Sequence, residues 1–226
     1  MKTKTFLTVI GLVTSQSLFY SCSDDNDSNI NMETENNQSK NLVSTNSFNG
    51  ATVNVDIFNH SVSFIKSKVG SQGASYVLTQ SDLNQFYQIA QIPNAQRLSL
   101  DKVNSIISQT ANMAQLPFDQ VLEQLGYSDM AKDLAIAISN NYIPDLQHNQ
   151  GFQNLASNER QFIESLNDLR FNYEQGLLNT NVFSKDGGPF IGGAIGMGVG
   201  FMVAGPIGAF VGGTVGWFVG GYLESK

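Results

Sequence analysis

Between residues 187 and 223 the chain carries no charged side chain, and a small residue stands at every fourth position: Gly188, Gly192, Gly196, Gly200, Ala204, Gly208, Gly212, Gly216 and Gly220. Fourteen of the 21 glycines fall in residues 187–221, interleaved with Phe, Ile, Val and Met, so a need for flexibility does not explain them. In water each interior glycine costs a helix nearly 1 kcal/mol relative to alanine, which makes the segment a poor isolated helix. In a bilayer the backbone must satisfy its own hydrogen bonds, which enforces helix, and small residues four apart let two helix backbones touch. A four-residue step advances about 400°, so the small face drifts by about 40° each time; three steps keep it on one side, and eight carry it nearly all the way round. One straight helix therefore cannot present a single small face. Gly205-Pro206 stands at the midpoint, where proline disrupts a helix. The pattern predicts a hairpin with arms over 189–203 and 207–222 and a turn at Ala204–Pro206.

Each arm reaches only about 24 Å, slightly short of the roughly 30 Å hydrocarbon core. Both ends of the hairpin then lie on one side, where Lys185, Asp186, Glu224 and Lys226 are charged and Trp217 and Tyr222 are placed for the membrane interface. The large apolar side chains must be covered. The expectation is a lipid bilayer, and the alternative is burial in a bundle or in a multimer of soluble chains.

The opposite end reads as an address. Lys2 and Lys4 precede the apolar run Phe6 to Val13, too short to span a membrane, and Leu18-Phe19-Tyr20-Ser21 leads to Cys22, the only cysteine. These residues resemble a lipoprotein signal peptide, 1–21, with a lipobox; Phe19 and Tyr20 are bulkier than the residues most common there. The resemblance implies acylation of Cys22 and retention on a bilayer, which several acyl chains achieve where one does not. Ser23-Asp24-Asp25-Asn26-Asp27 is similar to the surface-export tag of lipoproteins from the Bacteroidota, implying a lipid-anchored outer-membrane protein exposed at the cell surface; a solvated linker on a periplasmic protein is the alternative. Loss of Lys2 and Lys4 takes the net charge from −7 to −9, so lipid and apolar surface, not charge, must hold the chain to an anionic membrane.

Residues 22–50 are dominated by Asn, Ser, Asp, Glu, Thr and Gln, too polar to offset the entropy of ordering, and read as a disordered acidic tether. From 51 to 184 the apolar residues recur at helical spacing. Val55, Phe58, Val62, Ile65 and Val69 form one face before Gly70 and Gly73. Ser81-Asp82 opens a second helix carrying Leu83, Phe86, Ile89 and Ala90, stopped by Pro93. Ser99 caps a third with Leu100, Val103, Ile107, Ala111 and Ala114 inward. Pro117 starts a fourth with Phe118, Val121, Leu122 and Leu125, ended by Gly126. Ser128-Asp129 starts a fifth with Met130, Leu134, Ala137 and Ile138, and Ser157 or Asn158 caps a sixth with Phe162, Ile163, Leu166, Leu169 and Tyr173. The expected fold is all-α: a small helical bundle after the tether, followed by the glycine-zipper hairpin of 185–226.

Catalysis and metal binding find little material. One cysteine and two distant histidines, His60 and His148, do not make a metal or nucleophile site, and Asp129/Asp133 and Glu164/Asp168 read as solvated helix faces. No nucleophile elbow, phosphate loop or dinucleotide fingerprint is present, so the expectation is a non-enzyme without metal or cofactor. A net negative chain argues against a nucleic-acid partner. The zipper centred on Gly205-Pro206-Ile207-Gly208-Ala209 looks like the glycine-zipper hairpins of bacterial outer-membrane lipoproteins and of some membrane-active peptide toxins, over residues 187–223 of 226. That resemblance implies membrane insertion and homo-oligomerisation through the zipper. Two roles follow as expectations: an envelope or structural protein, and a contact-dependent or bacteriocin-like toxin that permeabilises neighbouring cells.

Overall fold

The computed structural model describes residues 54–72, 77–178 and 188–224, all within one compact unit, Phe48–Lys226. Among the described residues the regular elements are all helical: α1 (Val55–Gln72), α2 (Gln80–Ile89), α3 (Leu100–Met113), α4 (Phe118–Gln124), α5 (Asp129–Ser139), α6 (Gln150–Gln153), α7 (Ser157–Glu174) and α8 (Gly188–Glu224). The protein is all-α. The predicted signal segment 1–21 and tether 22–50, with Cys22, lie outside the described residues.

Local chemistry explains the helix ends. Ser99 and Ser128 cap α3 and α5, their hydroxyls accepting from the amides of Lys102 and Ala131 at 3.3 Å each. Helix α2 starts earlier than Ser81-Asp82. Thr79 is its cap, accepting from the Asp82 amide at 3.1 Å while the Asp82 carboxylate accepts from the Thr79 amide at 3.3 Å, a reciprocal box that satisfies two orphan donors. Ala156, which offers no side-chain bond, precedes α7 in place of the expected Ser157 or Asn158 cap. Gly126 and Gly176 end their helices with φ of +73° and +67°, the left-handed conformation that closes a helix most easily at glycine.

Helix α8 is the axis of the fold. Its backbone leaves helical geometry at Ala204 and Gly205, and the chain reverses there into two antiparallel arms, 188–203 and 206–224. Helices α1, α3, α4 and α7 pack directly on it, α5 backs onto α4 and α7, and α2 rests on α1. One buried cluster joins Phe190, Ile195, Met197, Val199 and Phe201 of the first arm to α1, α4, α5 and α7. A second sets Ile207 and Val211 of the second arm against Leu83, Phe86 and Tyr87 of α2 and Val103 of α3. The sequence divides a helical domain, 51–184, from a hairpin, 185–226; in the structure both belong to one unit because the hairpin is what the other helices bury.

Two predicted faces are rotated. In α3 the deepest side chains are Val103, Ile106 and Thr110; of the predicted stripe Val103 is buried, while Leu100 and Ile107 pack half-buried against the second cluster. In α5 the buried set is Ala131, Leu134, Ala135 and Ile138, which leaves Met130 exposed rather than inward. Alanines at 131 and 135 let α5 lie close to its neighbours, which a count of bulky residues does not register.

An ion pair fastens α2 to α1. Lys68 Nζ lies 2.7 Å from Asp82 Oδ1, and this bond, with the Thr79 hydroxyl, holds the Asp82 carboxyl at about 2 against the opposing effect of burial. A carboxyl whose folded pKa lies below its unfolded value of 3.8 stabilises the fold above about pH 4, and that contribution is lost as pH falls toward 2. Asp82→Asn is expected to cost on the order of 1 kcal/mol at neutral pH and to flatten the acid limb of stability between pH 4 and 2. Urea midpoints followed by circular dichroism across that interval measure both effects; an unchanged acid limb would show that Asp82 does not carry it.

Candidate functional site

The zipper glycines face one another across the hairpin. Gly200 opposes Gly208, Gly196 opposes Gly212, Gly192 opposes Gly216, and Gly188 opposes Gly220, with Ala204 at the centre of the register. A Cβ built on any of the six from Gly192 to Gly216, or on Gly220, would come within 3.0 Å of the opposite glycine's carbonyl oxygen, closer than real Cβ atoms approach. The two arms are thus in backbone contact along their length, the geometry that small residues four apart permit. Because the contact is within one chain, self-association through this same face requires the arms to part.

The turn is built as expected at 204–206. Gly205 has φ +57° and ψ −148°, a region open essentially to glycine alone, and Pro206 begins the second arm, where its missing N–H costs no helical bond. Glycines outside the four-step stripe do different work. A Cβ on Gly198 would stand 3.1 Å from Leu125 Cδ1 and 3.5 Å from Phe162 Cε2, so its absence lets α4 and α7 close on the first arm. The signal for this second use was present as glycines off the zipper register, and the sequence reading did not separate them.

Around the arms stands a sheath. Among the described side chains of α8 only Met202 is exposed, and residues 203–206 are half-buried. Trp217, expected at a membrane interface, is 1% exposed. Its ring meets Phe58 edge-on at 5.5 Å and Tyr173 at 5.7 Å, so α1 and α7 clasp it from the protein side. The same amphipathic indole that suits an interface also suits a core between two helices. Tyr222 lies in the last turns of the second arm, and of the charged flank only Glu224 belongs to the described helix.

Thr214, the buried hydroxyl among the described side chains of the hairpin, donates within its own helix to the carbonyls of Val211 and Phe210 at 2.9 and 3.1 Å. The sheath is less well satisfied. Ser61 Oγ on α1, Thr110 Oγ1 on α3 and Arg170 Nε on α7 are buried with no hydrogen-bond partner. The Arg170 guanidinium lies over Phe190 of the first arm, 4.7 Å from its centroid, and pairs with Glu174. Sequence reading missed these three because each is a lone polar residue on an otherwise ordinary helix face. Burial also raises the phenols beside the core: Tyr87 to about 12 although its hydroxyl donates to Leu98 O at 2.8 Å, and Tyr127, stacked on Phe162 at 4.5 Å, well above its usual range.

The remaining candidates are not brought together. His60 is exposed, and His148 Nδ1 lies 2.7 Å from Asp145 Oδ2 at the surface. Asp129 pairs with Lys132 at 2.8 Å. Among the described residues no group of three His, Cys, Asp or Glu side chains converges on a metal-sized space. A cleft of about 330 Å³ beside α6 and α7, lined by Leu146, Phe152, Arg160 and Glu164 among others, holds no such group either. By length and composition the segment Gly188–Gly221 is apolar enough to cross a membrane, and its reversal at Ala204 and Gly205 divides it into two shorter arms. No protein-family model matches the chain, and neither does any curated protein or solved structure.

Proposed function

We propose that the chain is a non-enzymatic lipoprotein, acylated at Cys22 and held at the outer membrane, whose glycine hairpin leaves its helical sheath to insert in a bilayer and self-associate in an envelope role. The observation that carries this reading is an uncharged apolar hairpin, its arms paired glycine to glycine, wrapped by helices of the same chain. Relative to water, burying each large apolar side chain of the arms is worth about 1.5–3 kcal/mol. Relative to lipid that gain nearly vanishes, because acyl chains are as apolar as leucine. The sheath therefore protects the hairpin from water and does not bind it strongly against a membrane. Opening the sheath also lets water reach Ser61 Oγ, Thr110 Oγ1 and Arg170 Nε, atoms that lack a hydrogen-bond partner where they are buried.

A second reading, a contact-dependent toxin, is favoured by the cover that the sheath gives the arms. A hairpin delivered to another cell must stay soluble until it arrives. The mature chain with Cys22→Ser, so that no acyl group does the binding, is expected to co-float with phospholipid vesicles. Vesicle binding without release of an entrapped dye supports the envelope role; dye release together with killing of neighbouring cells supports the toxin. A chain that stays in the aqueous phase would mean the hairpin is purely a structural core.

A further inference from the structure

We infer that the hairpin enters the bilayer closed and tip first, with residues 202–206 as the surface that meets lipid. This rests on the membrane reading above and says how the transfer happens. The sheath covers the arms but leaves the tip open: Met202 is 51% exposed, and Val203, Ala204, Gly205 and Pro206 are half-buried and uncharged. The other end of the hairpin is flanked by Lys185 and Asp186 before it and Glu224 and Lys226 after it. Charged side chains are costly at the centre of a bilayer, so insertion from the tip is the direction in which none of these four has to cross.

On entry, before any second copy is met, the arms stay paired for a separate reason. Each glycine pair is a backbone-to-backbone contact, and lipid offers no closer packing to replace it. Parting the arms would also gain nothing for Thr214, which is already bonded within its own helix. Closed, each arm of about 24–28 Å reaches most of the way across the hydrocarbon core without moving the charged flank.

The test uses the full mature chain with Cys22→Ser, which removes the only cysteine, and vesicles of phosphatidylethanolamine and phosphatidylglycerol. An environment-sensitive dye attached through Met202→Cys is expected to shift to the blue and to be quenched by lipids brominated deep in the acyl chain. The same dye attached through Val77→Cys, at a position 65% exposed on the sheath, is expected to do neither. Met202→Lys is expected to lower vesicle binding at least about tenfold while Met202→Leu leaves it unchanged; the position is exposed, so neither should disturb folding. A Cβ on Gly213 lies 3.7 Å from Met197 Cβ, within disulfide range, so Met197→Cys with Gly213→Cys locks the arms. The oxidised and reduced forms are expected to float equally, within about twofold. If the chain floats while the dye at 202 stays in water, or oxidation leaves the locked chain in solution, closed tip-first insertion is wrong and the membrane reading survives. If no form floats, both fall.

Discussion

Gly212→Ala is expected to destabilise the protein by about 3 kcal/mol, and Gly213→Ala, one residue further, to stabilise it by up to about 1 kcal/mol. Helix propensity treats the two positions alike, since alanine is favoured over glycine by nearly 1 kcal/mol in any helix interior. Their surroundings decide the sign. A Cβ on Gly212 would fall within 3.0 Å of the Gly196 carbonyl oxygen and carbon and 3.2 Å from Gly200 Cα, all backbone, which has no rotamer with which to yield. Relief requires the arms to separate, and separation loosens the neighbouring pairs Gly200/Gly208 and Gly192/Gly216 as well. On Gly213 the nearest atoms are Met197 Cβ and Cε at 3.7 Å and Gly193 O at 3.8 Å, ordinary contact distances. Denaturant unfolding of the two single variants, with circular dichroism as the probe, measures the difference. Equal effects of the same sign would mean that the arms do not meet along this register.

The same pair of residues shows how much of the site was legible. The four-step stripe, its phase drift and Gly205-Pro206 at the midpoint are local sequence properties, and together they fix a hairpin and its turn, which is where the backbone reverses. The fold class was legible for a similar reason: helical periodicity and the serines at 99 and 128 act within a few residues of themselves. What covers the arms was not legible. Bilayer and helical sheath present the same apolar surroundings to Phe190, Val199 or Trp217, so composition cannot distinguish them. The choice depends on contacts such as Phe58 with Trp217, between residues far apart in the chain. The rotated faces of α3 and α5 failed for a related cause: Thr110 and Ala131 are buried through the close approach of a neighbour, not through their own hydrophobicity.

Trp217→Ala is expected to cost about 3–5 kcal/mol, the range for removing a large aromatic side chain from a packed core. A tryptophan lodged at a solvent or membrane interface would cost a soluble form of the chain no more than about 0.5 kcal/mol, so the magnitude itself separates the two placements. The side chain, carried on the second arm, is 1% exposed and lies against three elements at once, the first arm at Gly193, α1 at Phe58 and α7 at Tyr173. Its edge-to-face contacts add about 0.5–1.5 kcal/mol each beyond the buried area, and alanine leaves a cavity that Phe58 and Tyr173, fixed on different helices, cannot close together. Trp217→Phe keeps one ring in place and is expected to recover more than half of the loss. Because Trp217 is the only tryptophan, its emission reports the hairpin alone. In the sheathed protein it should resist iodide quenching. In the presence of vesicles with brominated acyl chains it should be quenched only if the hairpin has left α1 and α7 for lipid. A stable Trp217→Ala protein would show that the clasp between hairpin and sheath is not made at this ring. Destabilisation in water combined with undiminished vesicle binding by the same variant would locate the role of Trp217 in storing the hairpin and not in its insertion.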